Sequence, residues 1–104
     1  MRKIIDGRIY DTETAQRLCD ISRPGFYNND FEWDDTYLYR SPNGAFFIAG
    51  QGNASSRWSE RVGQNGSQGG HGLIVIKEFE AQQLISEHCT VETYVSIFGE
   101  PEIG

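Results

Sequence analysis

The tetrapeptide Ser41-Pro42-Asn43-Gly44, set between Thr36–Arg40 and Ala45–Gly50, constrains this chain more than any other stretch of it. Proline presets the φ of a turn and Asn-Gly accepts positive φ, so the flanking runs are predicted to be the two strands of one antiparallel hairpin. Leu38 falls on the face opposite Tyr37 and Tyr39, and Phe46 and Ile48 fall opposite Phe47 and Ala49. Both faces carry large apolar groups and both need cover. Helices on one side and the aromatic segment Phe26–Asp35, read as a half-exposed strand or ordered loop, on the other are the expected covers.

Around this hairpin the remaining elements follow from local signals. Asp6-Gly7 is turn chemistry inside Lys3–Tyr10, which reads as a short strand or small hairpin. Asp11 or Thr12 can cap a helix whose apolar positions are Ala15, Leu18 and Cys19, and which ends before Pro24. Ser55–Val62 suits about two helical turns, Leu73–Ile76 a buried strand, and Glu78–His88 a helix with Phe79, Gln82, Leu84 and Ile85 as its apolar stripe. A last helix spans Val91–Phe98, capped by Thr90 and stopped by Gly99. The expected fold is α+β: one small domain over residues 1–104, with a mostly antiparallel three- to four-stranded sheet packed against two to three short helices.

Gly50 to Gly72 holds seven glycines among Arg57, Trp58, Arg61 and His71. Compact domains rarely hold more than about 12 to 15 residues of irregular chain unless the segment binds something or is disordered, so function is looked for here first. Trp58 flanked by Arg57 and Arg61 has the residue types that dominate interfaces, and it equally suits a side chain that anchors the loop to the core. Trp33 reads as core or hairpin cover, and His71 as a solvated loop histidine.

The net charge of −6 is unevenly placed. Up to Lys77 nine basic residues balance nine acids; beyond it stand Glu78, Glu80, Glu87, Glu92, Glu100 and Glu102 with no Lys or Arg. An acidic chain lacks the clustered bases a nucleic-acid binder needs, so direct nucleic-acid binding is not expected. The acidic helical third, residues 78–104, is either a solvated face or a surface that docks on a basic protein groove. No apolar run is long enough for a signal peptide or membrane span, which points to a cytoplasmic chain with no membrane contact. Cys19 and Cys89 are then expected to be reduced.

Catalytic readings find little. A zinc set of Cys19, His71, His88 and Cys89 lacks paired ligand spacing. The glycines do not form a phosphate loop, and Cys89 with His71 has no flanking signature. An acid–base pair drawn from Asp34, Asp35, Glu60 and His71 carries no information without geometry. The chain is expected to be no enzyme and to hold no metal or cofactor.

Tyr10-Asp11-Thr12-Glu13-Thr14-Ala15, Leu38-Tyr39-Arg40 with Gly44-Ala45-Phe46-Phe47, Gly50-Gln51-Gly52, and Tyr94 to Pro101 together resemble a family of small, mostly uncharacterised proteins of phages and other bacterial mobile elements. Its setting is similar to that of anti-defence proteins, including anti-CRISPR proteins. The chain departs from the family at Lys77, where relatives tend to place a Ser cap, a loss of about 1 kcal/mol. The resemblance implies an inhibitor in the host bacterial cytoplasm that binds a CRISPR-associated nucleoprotein or nuclease. Arg57, Trp58, Arg61, Glu78, Glu80, Glu87, Asp34 and Asp35 are the residues expected at the contact. The alternative is a self-associating accessory module with no host target, a homodimer built on the aromatic hairpin face.

Overall fold

In the computed structural model of residues 1–104, Asp6 and Gly7 both take positive φ, 51° and 77°. They turn β1 (Arg2–Ile5) back onto β2 (Arg8–Asp11) as a two-stranded hairpin. The Ser41–Gly44 turn joins β4 (Asp34–Arg40) to β5 (Phe46–Gly52) in continuous antiparallel register. Ser41 holds that turn by donating N–H to the Ala45 carbonyl at 2.8 Å and accepting the Ala45 N–H on its hydroxyl at 3.0 Å. With β3 (Gln16–Asp20) and β8 (Gly70–Ile76), these strands form a four-stranded antiparallel sheet of order β3-β4-β5-β8. Strands β6 (Glu60–Val62) and β7 (Gly66–Gln68) make a separate small hairpin, and helices α1 (Glu78–His88) and α2 (Val91–Phe98) close the chain. The protein is an α+β domain.

Two cores lie on the two faces of the sheet. On one, Leu38, Phe46 and Ile21 meet Ala81 and Ile85 of α1, with Phe98 of α2 stacked on Phe46 at 6.0 Å. On the other, Tyr39 stacks on Phe47 at 5.1 Å and Tyr10 meets Phe47 edge-on at 5.7 Å. The cover on this second face is thus the β1–β2 hairpin, through Tyr10 and Ile5, and not the aromatic segment. That segment is an ordered loop of turns, with Asp30 bonding back to Tyr27 and Trp33 back to Asp30.

The helix expected after Asp11 is a strand. Asp11 does cap a turn, accepting the Glu13 N–H at 2.9 Å and the Ala15 N–H at 3.0 Å, but the chain then pairs with β4. A register shift between Arg17 and Cys19 is a bulge that lets consecutive Leu18 and Cys19 both pack against the helical core, so their 3.6-like spacing misread as a helix. The helix expected over Ser55–Val62 is also absent. Ser56 Oγ accepts the Trp58 N–H at 3.2 Å and donates to the Asn53 carbonyl at 2.8 Å, local bonds that compete with a helical ladder.

Both C-terminal helices stand where local chemistry puts them. Thr90 Oγ1 accepts the Thr93 N–H at 3.2 Å, and Gly99 ends α2 at φ 86°. At α1, Lys77 supplies no side-chain acceptor, while Glu80 accepts the Lys77 N–H at 3.1 Å. The apolar stripe of α1 differs from expectation: Ala81, Leu84 and Ile85 pack inward, and Phe79 and Gln82 face solvent.

Cys19 and Cys89 form a disulfide, where reduced thiols were expected. They lie 70 residues apart in sequence, yet the bulge in β3 brings Cys19 under the end of α1 with the Cα atoms 5.5 Å apart. A count of two cysteines contains no such proximity. Disulfides persist in oxidising compartments, so this bond runs against the cytoplasmic location from which reduced thiols were expected. No helix is long and apolar enough to cross a membrane.

Candidate functional site

The glycine-rich segment proves to be a strap laid on the sheet. The register places Thr36, Gly50 and Gly72 in one row and Asp34, Gly52 and Gly70 in the next, all on the helical face. Gly72 and Gly70 clear room for Trp58: a Cβ at Gly72 would stand 2.9 Å from its Cζ3 and one at Gly70 would collide with its carbonyl oxygen, while Gly50 lies bare against the Asp35 carbonyl of β4. Trp58 is 6% exposed, and its Nε1 donates to Thr36 Oγ1 at 2.8 Å.

Thr36 Oγ1 in turn donates to the buried carboxylate of Asp34. Arg57 Nε sits 3.3 Å from the same carboxylate, its Nη2 donates to the Ile21 carbonyl at 3.1 Å, and Asp34 Oδ1 accepts the Arg23 N–H at 3.0 Å. Burying a carboxylate is costly unless it is paired and hydrogen-bonded in this way. Asp34 and Trp58 are therefore corrected from contact residues to internal ones, and Arg57, although partly exposed, is committed to Asp34. Of the basic candidates only Arg61 stands free on the surface, on β6, whose hairpin is tied down where Ser67 Oγ donates to the Ala54 carbonyl at 2.9 Å.

Glu78, Glu80 and Glu87 stand on the solvent side of α1, and Glu92, Glu100 and Glu102 continue the charge through α2 and the tail. In their midst Phe79 is 66% exposed. Phe79, Gln83 and Glu87 recur at i, i+4 and i+8 and so share one stripe, with Gln83 Nε2 donating to Glu87 Oε1 at 3.2 Å. Phe79 is the surface residue that the sequence reading assigned to the core. The available signal is angular: Phe79 lies about 200° around the helix from Ala81, hence opposite the buried face.

Asp35 lies apart from both groups, on the opposite face of the sheet. It stands in a row with Gln51 and His71 and, with Tyr37, Thr12 and the small floor of Ala49, lines a cleft of about 300 Å³. Gln51 separates Asp35 from His71, Asp34 points to the other face, and Glu60 is on β6, so the four acid–base candidates do not converge. Nor do the paper zinc ligands: the cysteines bond each other on the helical side, and His71 opens into the cleft.

The Tyr37 phenol is held above the usual 10.0, first by its hydrogen bond with Asp35, then by burial and by the charges of Asp35 and Asp20, against the opposing charge of Arg17. Arg17 rests 4.5 Å over the Tyr37 ring. A folded value raised above the unfolded one means the neutral phenol's contribution is complete below pH ~10 and is lost as pH climbs through the raised value. Urea midpoints followed from about pH 9 to 12 should fall more steeply for wild type than for Tyr37→Phe. Parallel pH curves for the two proteins would refute this assignment.

No protein family, curated protein or solved structure matches this chain.

Proposed function

We propose that this chain is a non-catalytic binding protein of a phage or other mobile element that inhibits a host defence complex, acting as anti-CRISPR-like inhibitors do. The observation that carries the reading is the segregation of charge: six glutamates follow Lys77 without one basic residue, on α1, α2 and the tail, and α1 also presents Phe79 to solvent. An acidic surface around one aromatic anchor suits a basic protein groove, including one that otherwise holds nucleic acid. The partner is a host CRISPR-associated nucleoprotein or nuclease, met in the host cytoplasm, with no turnover and no direct contact to nucleic acid. Because thiols there are kept reduced, the helical layer must then hold without the disulfide, by the packing of Ala81, Leu84, Ile85 and Phe98.

Capture of partners from host lysate at low and high salt tests this reading. Wild type should recover one defence nucleoprotein with affinity that falls as salt rises. Phe79→Ala, and separately the combined Glu78→Lys, Glu80→Lys and Glu87→Lys, should each weaken capture roughly tenfold or more, the range of an interface anchor. A nucleoprotein held equally by wild type and the charge-reversed protein would refute the acidic face as the contact. Recovery of the chain alone at every salt concentration would refute the inhibitor reading itself.

A further inference from the structure

Two arginines are drawn into the fold, and they are treated differently. Arg57 is met by Asp34. Arg40, half-buried at the end of β4, forms no ion pair, and its Nε is buried without a hydrogen-bond partner. A buried charged donor left in this way bears the full desolvation of its N–H, which makes it a group to be explained. Its neighbours fix its place without neutralising it. The guanidinium lies 5.6 Å from the Phe46 ring, and a Cβ on Gly44 would stand 3.8 Å from its Nη2.

Around Arg40 the β4–β5 turn and the start of β3 form an open polar cleft of about 480 Å³, lined by Thr14, Gln16, Ser41, Asn43 and Gly44. No Asp or Glu lines it. Several of its polar groups are donors that the turn's own bonding leaves over. Ser41 gives its hydroxyl proton to Asn43 Oδ1, so the Asn43 Nδ2 amide has no part in that bond, and the Asn43 backbone N–H has no backbone acceptor. The β3–β4 register sets Gln16 directly beside Arg40.

We propose that this cleft is a binding site for the phosphate group of a small polar phosphate ester, with the Arg40 guanidinium supplying the charge and Asn43 and Gln16 the neutral donors. A planar guanidinium that no carboxylate occupies is shaped for an oxyanion. A phosphoryl group offers three terminal oxygens, enough for the arginine fork and both amides together, whereas the two oxygens of a carboxylate are largely taken up by the fork. Apart from Pro42 no apolar side chain lines the cleft, so nothing there stacks a nucleobase or covers a lipid chain, and the body of the ligand is hydrophilic. One arginine does not track a nucleic-acid backbone, which needs clustered bases. None of these residues belongs to the acidic face of α1 and α2, so the site stands or falls independently of the inhibitor reading.

NMR titration of the oxidised full chain with glycerol phosphate, inorganic phosphate, glycerol and acetate, at neutral pH and constant ionic strength, tests the site. Glycerol phosphate should shift the Arg40 Nε–H, the Asn43 N–H and the Asn43 and Gln16 side-chain amides together, with a dissociation constant at or below about 1 mM. Glycerol should shift none of them, and acetate should bind at least about tenfold more weakly. Arg40→Gln should weaken glycerol phosphate at least about tenfold. Gln16→Glu, an exposed substitution that gives Arg40 the carboxylate it lacks, should weaken it as much with a urea midpoint no lower than wild type, which keeps the test decisive if Arg40→Gln fails to fold. Signals of the turn unmoved by about 10 mM glycerol phosphate overturn the proposal, as does binding undiminished in Gln16→Glu. Acetate bound as well as glycerol phosphate assigns the cleft to carboxylates, and inorganic phosphate bound more tightly than the ester assigns it to the free ion; either result overturns the ester. So does a short single-stranded oligonucleotide that shifts the same signals at lower concentration, which would make the cleft a nucleic-acid contact.

Discussion

Trp58→Ala should lower the free energy of unfolding by about 3–5 kcal/mol, the range for removing a large buried aromatic from a packed site. Three losses fall together in this variant. The ring leaves a void over a glycine floor that has no side chains with which to collapse into it. The Nε1–H bond to Thr36 disappears, and with it the orientation of the hydroxyl that donates to Asp34. The strap itself, Asn53–Ser59, then keeps the Arg57 contacts and the hydrogen bonds of Asn53, Ala54 and Ser55 but loses its one buried aromatic anchor. For a domain whose whole stability is on the order of 5–15 kcal/mol, such a loss brings it close to unfolding at ambient temperature. Urea unfolding followed by circular dichroism measures it. A shift under about 1 kcal/mol would mean that Trp58 merely rests on the surface and is free for contact after all.

Opening the disulfide should cost about as much. A cross-link between residues 70 apart restricts the unfolded chain by an entropy worth about 4 kcal/mol at 25 °C in the chain-closure account. It is also the covalent tie between the bulged edge strand and the end of α1, the helix that covers Leu38 and Phe46. Thermal unfolding with and without reductant, alongside Cys19→Ser with Cys89→Ser, measures the loss. The reduced protein and the double variant should melt at the same lowered temperature. A Tm unmoved by reductant would show that side-chain packing, through Ala81, Leu84, Ile85 and Phe98, holds the helical layer by itself, the condition under which the proposed inhibitor functions in a reducing cytoplasm. A large fall places the working form of the protein where disulfides survive.

The parts of the fold that the sequence made legible share one property: their cause acts within a few residues. Asp6-Gly7 and Ser41–Gly44 specify turns through positive φ and a hydroxyl that bonds its own loop. Thr90 and Gly99 bound α2 through a cap and a left-handed residue, and the alternation around Leu38 and Phe47 announces a sheet with two buried faces. The failures share the opposite property. Residues 16–20 are a strand because β4 offers an edge, although Asp11 caps a turn as a helix start would. Of the candidate contact residues, Glu78, Glu80, Glu87, Arg61 and Asp35 reach the surface or a cleft, but on separate parts of the molecule, while Asp34 and Trp58 turn inward.

By itself, then, the amino-acid sequence determined the α+β class, the central hairpin, both C-terminal helices and the placement of negative charge beyond Lys77. Propensity, turn chemistry and charge count are local or additive, and they survive whatever the chain packs against. Only the tertiary structure decided that Cys19 meets Cys89, that Trp58 fills a floor of glycines, that Phe79 faces water and that β8 is left as an open edge. Each of these depends on which distant segment lies opposite, and an unpaired edge or a filled slot exists only once the strands beside it are in place.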